Sequence, residues 1–363
     1  MQNTQAKDEK KTKSPTRRLL DATARLGVRV LPLLSFAVAC IMLYFLDPPS
    51  FELMWKGRTF QLFFIWLIGL ELILDWEKLN QSKIRKQFSA LTVAFIVALM
   101  LPTVYVAASF FLGLNESITG WATQSGIQWA SSMPLAIEYL VFAALFCLIV
   151  YLSFGFKGLK NFSVPAFFVA AVGVLYTIDN AFPYGQFTPF QILVPTTTQL
   201  AAAFLNLMGY TTSITYGQNP LQGNLPYLTA APSGSAAAPT TFAIAWPCAG
   251  IESFLIFTVV VLLFLKRMPL SWKAKIGYFA FGAAVTYVIN SLRIVSIFLI
   301  GMTHGVNSLE VDLFHFYYGP LYAMTWIIAY PLIIIASQSL WHRIRWRPRE
   351  KPTLPQPVQP NAA

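Results

Sequence analysis

The apolar positions of the chain come in long unbroken runs, not in the 3.6-residue rhythm of a soluble amphipathic helix or the alternation of a half-buried strand. The runs fall at roughly 30–46, 60–74, 88–112, 134–154, 164–182, 249–265, 276–300 and 319–340. Most approach or exceed the ~17–25 residues with which a helix crosses a hydrocarbon layer. The pattern predicts an all-α polytopic membrane protein with about eight transmembrane helices. The second run is short, and its boundaries can extend in either direction. A further apolar stretch, 190–209, carries Pro195, three consecutive threonines (Thr196, Thr197, Thr198), Gln199 and Asn206. That polarity fits an interfacial or re-entrant helix better than a span.

Composition agrees. The chain is 56% apolar and 11% charged, whereas soluble proteins carry about 25% charged residues. A net charge of +11 could point to nucleic acid, but the basic residues sit in short clusters between the apolar runs. They read as a topology signal, and no nucleic-acid partner is expected. With the N-terminus in the cytoplasm, segments 1–29, 75–87, 155–163, 266–275 and 341–363 face inward and hold 23 of the 26 Lys and Arg. Lys56 and Arg58 are left outside, and Arg293 lies within a span. If 190–209 also crossed, every later basic cluster would change sides. The asymmetry favours eight spans in a cell membrane, with both termini cytoplasmic.

The domain plan is a basic tail at 1–29, a transmembrane domain at 30–340 and a basic, Pro-rich tail at 341–363. The N-terminal segment is too long and too charged before its first apolar run to be a cleaved signal peptide. Residues 1–18 and 352–363 are expected to be disordered. The longest outer segment, 183–247, belongs to a 72-residue stretch (180–251) without Asp, Glu, Lys or Arg. It is either a loop hugging the membrane or a neutral lid that receives an uncharged extended peptide.

Candidate chemistry gathers in the C-terminal half. The three cysteines, Cys40, Cys147 and Cys248, are odd in number and lack a CxxC spacing, which argues against a disulfide framework or a zinc site. No metal or cofactor is expected. Cys40 and Cys147 lie inside apolar runs and read as small packing residues. Cys248, in Trp246-Pro247-Cys248-Ala249-Gly250-Ile251-Glu252-Ser253, stands where a span begins. Free N–H groups and partial positive charge at a helix N-terminus stabilise a thiolate and can serve an oxyanion.

Arg293, in Asn290-Ser291-Leu292-Arg293-Ile294, lies in a span, where an ionised Arg costs roughly 2.5–3.5 kcal/mol and needs a partner. His315, in Asp312-Leu313-Phe314-His315-Phe316-Tyr317-Tyr318-Gly319, falls in the last outer loop. Its ordinary pKa, about 6.5, suits a general base. Glu252, one turn after Cys248 on the same face, is a candidate ion-pair partner of Arg293. His304 is a weaker base candidate. Each residue has a bland alternative: packing for Cys248, a structural ion pair for Arg293, an interfacial position for His315. Their convergence on one membrane boundary favours cysteine acyl transfer.

These segments resemble the exosortase/archaeosortase family, membrane-embedded cysteine enzymes that act on C-terminal sorting signals. Cys248-Ala249-Gly250-Ile251-Glu252-Ser253 is similar to the family's Cys-Ser/Ala-Gly motif, Asn290-Ser291-Leu292-Arg293-Ile294 to its Asn-x-x-Arg-Ile motif, and His315 with Gly319 to its third motif. The resemblance covers roughly 135–340, the implied catalytic core. It implies Cys248 as nucleophile, Arg293 as stabiliser of the thiolate or oxyanion and His315 as base and then acid, with Glu252, Asn290 and Ser253 in support. The implied substrates are membrane-anchored proteins ending in a motif, a transmembrane helix and a basic cluster. The implied acceptor is an amine, that of a membrane lipid head group. The alternatives are a transporter or channel with Arg293 and Glu252 lining its path, or a structural subunit of an assembly complex.

Overall fold

A computed structural model describes residues 15–53, 56–76, 90–182, 192–219, 223–234 and 239–345. The N-terminal half consists of α1 (Pro15–Leu46), α2 (Thr59–Leu74), α3 (Ala90–Phe111), α4 (Leu114–Gln124), α5 (Met133–Asn161) and α6 (Ser163–Ala181). Helix α7 (Leu193–Leu207) and strands β1 (Tyr210–Asn219), β2 (Gly223–Pro232) and β3 (Thr240–Ala243) follow. Then come α8 (Ile251–Arg267), α9 (Trp272–His304), the short α10 (Leu309–Leu313) and α11 (Gly319–Arg345).

The result is a multi-pass helical membrane protein. Among the described residues, six helical segments are long and apolar enough to cross: Arg29–Leu46, Val93–Phe111, Ala130–Asn161, Ser163–Ala181, Trp272–His304 and Leu309–Trp341. The other two expected spans are shorter, with 16 residues in α2 and 17 in α8. At ~1.5 Å per residue these cover about 24–26 Å, a little less than the ~30 Å hydrocarbon layer.

Both short helices end on buried charge. Arg58, at the start of α2, donates from Nε and Nη2 to the Glu138 carboxylate of α5 at 2.9 and 2.8 Å, and from Nη1 to Asp47 at 2.6 Å. At the far end of α2, Glu71 pairs with Lys266 (2.9 Å) and Arg267 of α8, and Asp75 pairs with Arg267 (2.9 Å). A cation at a helix N-terminus and carboxylates at its C-terminus both oppose the helix dipole. On α2 the opposite charges of α5 and α8 offset this, which fixes the register of three helices.

Between these clusters the core is aromatic. Phe36 of α1 meets Phe64, Phe142 and Phe146 edge-to-face, with centroids 5.4, 5.4 and 5.7 Å apart. Outward residues such as Phe45 (78% exposed) and Ile328 (72%) present apolar surface on the outside of the bundle, where lipid is the solvent.

Three expectations change. The span predicted to end at 154 kinks at Gly155 (φ 67°, ψ −163°) and continues to Asn161, so most of the expected loop 155–163 is helix. Helix α1 starts at Pro15, so 15–18 are ordered in a helix; the expectations for 1–14, 77–87 and 346–363 lie outside the described residues. The neutral segment 183–247 carries more than an interfacial helix. Its residues 183–191 also lie outside the described residues, but α7 leads into an antiparallel sheet of order β1-β2-β3. Buried Leu228 and Ala230, with Phe242 packed edge-on against Phe298 of α9 (5.0 Å), seat one face of this sheet on α7 and α9. The opposite face shows Thr211, Ser213, Thr241 and Ala243 to solvent.

Candidate active site

Strand β3 delivers the chain to Trp246 and a 3₁₀ turn, Pro247–Ala249, that carries Cys248. Gly250 then takes a left-handed conformation (φ 86°, ψ 16°) and starts α8. Only glycine suits this position. A Cβ there would meet strain at positive φ and would lie 2.6 Å from Cγ of Asn290. That close approach lets the buried Asn290 amide of α9 donate to the Cys248 carbonyl at 2.9 Å. The Cys248 turn is thereby tied to the helix that bears Arg293.

The half-buried Cys248 thiol faces the main-chain N–H groups of Ala245 and of Cys248 itself. Burial pushes the thiol above its ordinary value. The Ala245 N–H and the Arg293 guanidinium pull it back, and the Glu252 carboxylate pushes it up again. Arg293 projects from the middle of α9, in electrostatic reach of both Cys248 and Glu252. Its Nη2 donates to the main-chain carbonyl of His315 at 2.7 Å, while its buried Nε has no partner among the described residues.

His315 sits in a π-helical turn, Phe314–Tyr318, between α10 and α11, a distortion common at functional sites. Its half-buried ring packs edge-on to Phe316 at 4.8 Å. Gly319 follows, and a Cβ there would stand 2.6 Å from Nε of Arg293. Arg293 is thus held between the His315 carbonyl and the backbone of the last helix.

The structure therefore brings the Cys248, Asn290–Arg293 and His315–Gly319 segments together. It does not join the His315 imidazole to the thiol by a hydrogen bond. Glu252 and Arg293 form no ion pair with each other; the two interact at longer range. Ser253 is half-buried on α8, and His304 is exposed at the last residue of α9. An apolar cavity of 530 Å³ opens beside the turn, lined by Ala249, Gly250, Ile251 and Phe254 together with α6 residues and Tyr287.

Two supporting residues gave little sign of themselves in the sequence. Tyr287, one turn before Asn290, donates to Thr196 Oγ1 at 2.8 Å and accepts from Thr197 Oγ1 at 2.9 Å, locking α7 to α9. The three successive threonines were the available signal. Buried Tyr176 of α6 lies within electrostatic reach of Glu252 and receives main-chain hydrogen bonds around Lys56 and Gly57, linking the site to the N-terminal half. Nothing in its surrounding sequence marks it.

A family model described as transmembrane exosortase matches residues 55–333. The chain belongs to the transmembrane exosortase family. No curated protein and no solved structure matches it. The matched region takes in all three motif segments and begins just before Arg58, so the Arg58–Glu138 pair of this exosortase lies within it and Asp47 falls outside.

Proposed function

We propose that this exosortase is a cysteine transpeptidase of the cell membrane, with its site on the extracytoplasmic face, and that it exchanges the C-terminal anchor of exported proteins. One observation carries the reading. A single guanidinium, Arg293, stands in electrostatic reach of the Cys248 thiol and is hydrogen-bonded to the His315 carbonyl. A cation beside a thiol at a helix N-terminus favours the thiolate, the nucleophilic form.

In the proposed reaction the Cys248 thiolate attacks the carbonyl carbon of the scissile peptide bond. Arg293 and the N–H groups of Ala245 and Cys248 stabilise the oxyanion. The C–N bond breaks, the leaving amine takes a proton from the His315 imidazolium, and the upstream part of the substrate remains as a thioester on Cys248. An acceptor amine, supplied by a membrane lipid, then attacks the thioester after His315 removes its proton, forming a new amide and freeing the thiol. Catalytic hydrogen bonds that are loose in a free enzyme tighten in complex, and His315 has to make such a movement. Apolar surroundings keep water scarce and favour the amine over hydrolysis.

A transporter reading has less support, because neither Arg293 nor Glu252 lines the apolar cavity beside them. The test is coexpression with a tagged exported protein that ends in a motif, a transmembrane helix and a basic cluster. Cys248→Ala should leave the C-terminal helix attached, and Arg293→Gln should slow its removal by orders of magnitude. Removal at the wild-type rate by Cys248→Ala would refute the proposal.

A further inference from the structure

The hydrogen-bond parity of the sheet points to where the substrate chain lies. In an antiparallel ladder, bonded and non-bonded residue pairs alternate. Ile244 N–H donates to the Pro226 carbonyl at 2.9 Å. With the register Phe242↔Leu228 and Thr240↔Ala230, those two pairs exchange the bonds between β2 and β3. The pairs Thr241↔Thr229 and Ala243↔Tyr227 are non-bonded, so the N–H and C=O groups of Thr241 and Ala243 point away from β2. Among the described residues neither has a backbone partner on that side. The next residue of the same parity is Ala245, and its N–H faces the Cys248 thiol. The free edge of β3 therefore runs straight to the nucleophile.

Natural sheets guard such edges with lysine, proline or a bulge. Residues Thr240–Ala243 have no charge and no proline, and Thr241 and Ala243 are exposed. Pro239 closes the row at its far end, which leaves Thr241, Ala243 and Ala245 open; an edge open toward the nucleophile fits strand addition, in which main-chain bonds supply affinity.

We propose that the segment upstream of the scissile bond, roughly six residues long at ~3.3 Å per residue, binds as a fourth strand on the free edge of β3 and parallel to it. The direction follows from the chain's own path. β3 leads through Cys248 into α8, from sheet to bundle. A substrate whose acyl part stays outside and whose leaving helix lies in the membrane matches that path only in the parallel sense. This inference rests on the transpeptidase reading and adds the binding mode.

Proline tests it with the full-length protein in liposomes and the tagged tail-bearing protein as probe. Thr241→Pro and Ala243→Pro each remove one outward N–H and leave the β2 bonds of Thr240, Phe242 and Ile244 in place. Each should lower processing roughly three- to tenfold, the weight of a single hydrogen bond, with alkylation of Cys248 by N-ethylmaleimide unchanged. Tyr216→Pro, whose N–H points off the remote edge of β1, should process like wild type.

As a second readout, in a Cys248→Ser background, Ala243→Cys should form a disulfide with a single cysteine placed just upstream of the scissile bond. Ser213→Cys on β1 should not. Proline variants with wild-type processing, or cross-linking to Ser213→Cys in place of Ala243→Cys, would overturn the strand addition. Should the prolines also lose thiol reactivity, the cross-link decides. If Cys248→Ala itself still removes the tail, the transpeptidase reading has failed; if it is inactive while the prolines are silent, only the pairing has.

Discussion

Replacing Gly250 by alanine probes how the Cys248 turn is held. Two separate costs are expected. The residue sits at φ 86°, and the left-handed conformation costs an L-residue about 1–2 kcal/mol. The new methyl would also lie 2.6 Å from Cγ, 2.7 Å from Nδ2 and 3.0 Å from Cβ of Asn290. Asn290 is buried and bonded to the Cys248 carbonyl, so it cannot swing aside without losing that bond. Overpacking of this kind costs about 1–3 kcal/mol. The single variant should therefore lose about 2–5 kcal/mol in an SDS titration from mixed micelles followed by tryptophan fluorescence, together with most of its processing activity.

Asn290→Ala alone should lose about 1 kcal/mol for the hydrogen bond. In the double variant the contacts with Cγ and Nδ2 disappear, while the 3.0 Å approach to Cβ and the backbone cost remain. The cycle should thus show a favourable coupling of about 1–3 kcal/mol. Additivity within about 0.5 kcal/mol, as for residues that do not touch, would refute the reasoning, and so would a Gly250→Ala protein as stable as wild type.

Four further substitutions address the charges. Arg293→Gln removes a cation that draws the Cys248 thiol down, and Glu252→Gln removes an anion that pushes it up. The pH profile of Cys248 alkylation should move to higher pH in the first and to lower pH in the second; movement of both in one direction would contradict the arrangement. Gly319→Ala places a methyl 2.6 Å from Nε of Arg293 and 2.8 Å from the Phe314 carbonyl. Processing should fall roughly 100-fold, the cost of about 1 Å of misplacement, while folding as judged by detergent extraction persists. Glu138→Ala leaves Arg58 buried with its two bonds to that carboxylate unmade, a loss of about 3–5 kcal/mol in the same SDS titration.

The bundle was legible because lipid as solvent imposes long apolar runs, and the site because its residues lie in short contiguous segments. Cys248, Arg293 and His315 could each be placed at one boundary from span positions alone. The sheet was not legible. In Tyr210–Asn219 the inward positions include Thr212 and the outward ones Thr211, Ser213 and Thr215, so threonine blurs the alternation that marks a strand. The ion clusters were hidden for another reason. Glu71 and Lys266 are 195 residues apart, and Arg58 and Glu138 are 80 apart, and no local pattern announces such a pair. The span expected to end at 154 kinks at Gly155 and resumes as helix to Asn161, so its end was not legible from the apolar run alone. The expected Glu252–Arg293 ion pair rested on the need of charges within spans for partners, and in the folded chain Arg293 turns toward the His315 carbonyl.

The account stands on covalent chemistry at one sulfur. The most direct test incubates the full-length protein in liposomes with the tagged tail-bearing protein, quenches in acid and analyses the enzyme by intact mass and peptide mapping. A mass increment equal to the upstream part of the substrate, on the peptide containing Cys248 and released by hydroxylamine, is the predicted result. Cleavage of the tail with no adduct on Cys248 at any time point, and undiminished in Cys248→Ser, would contradict it.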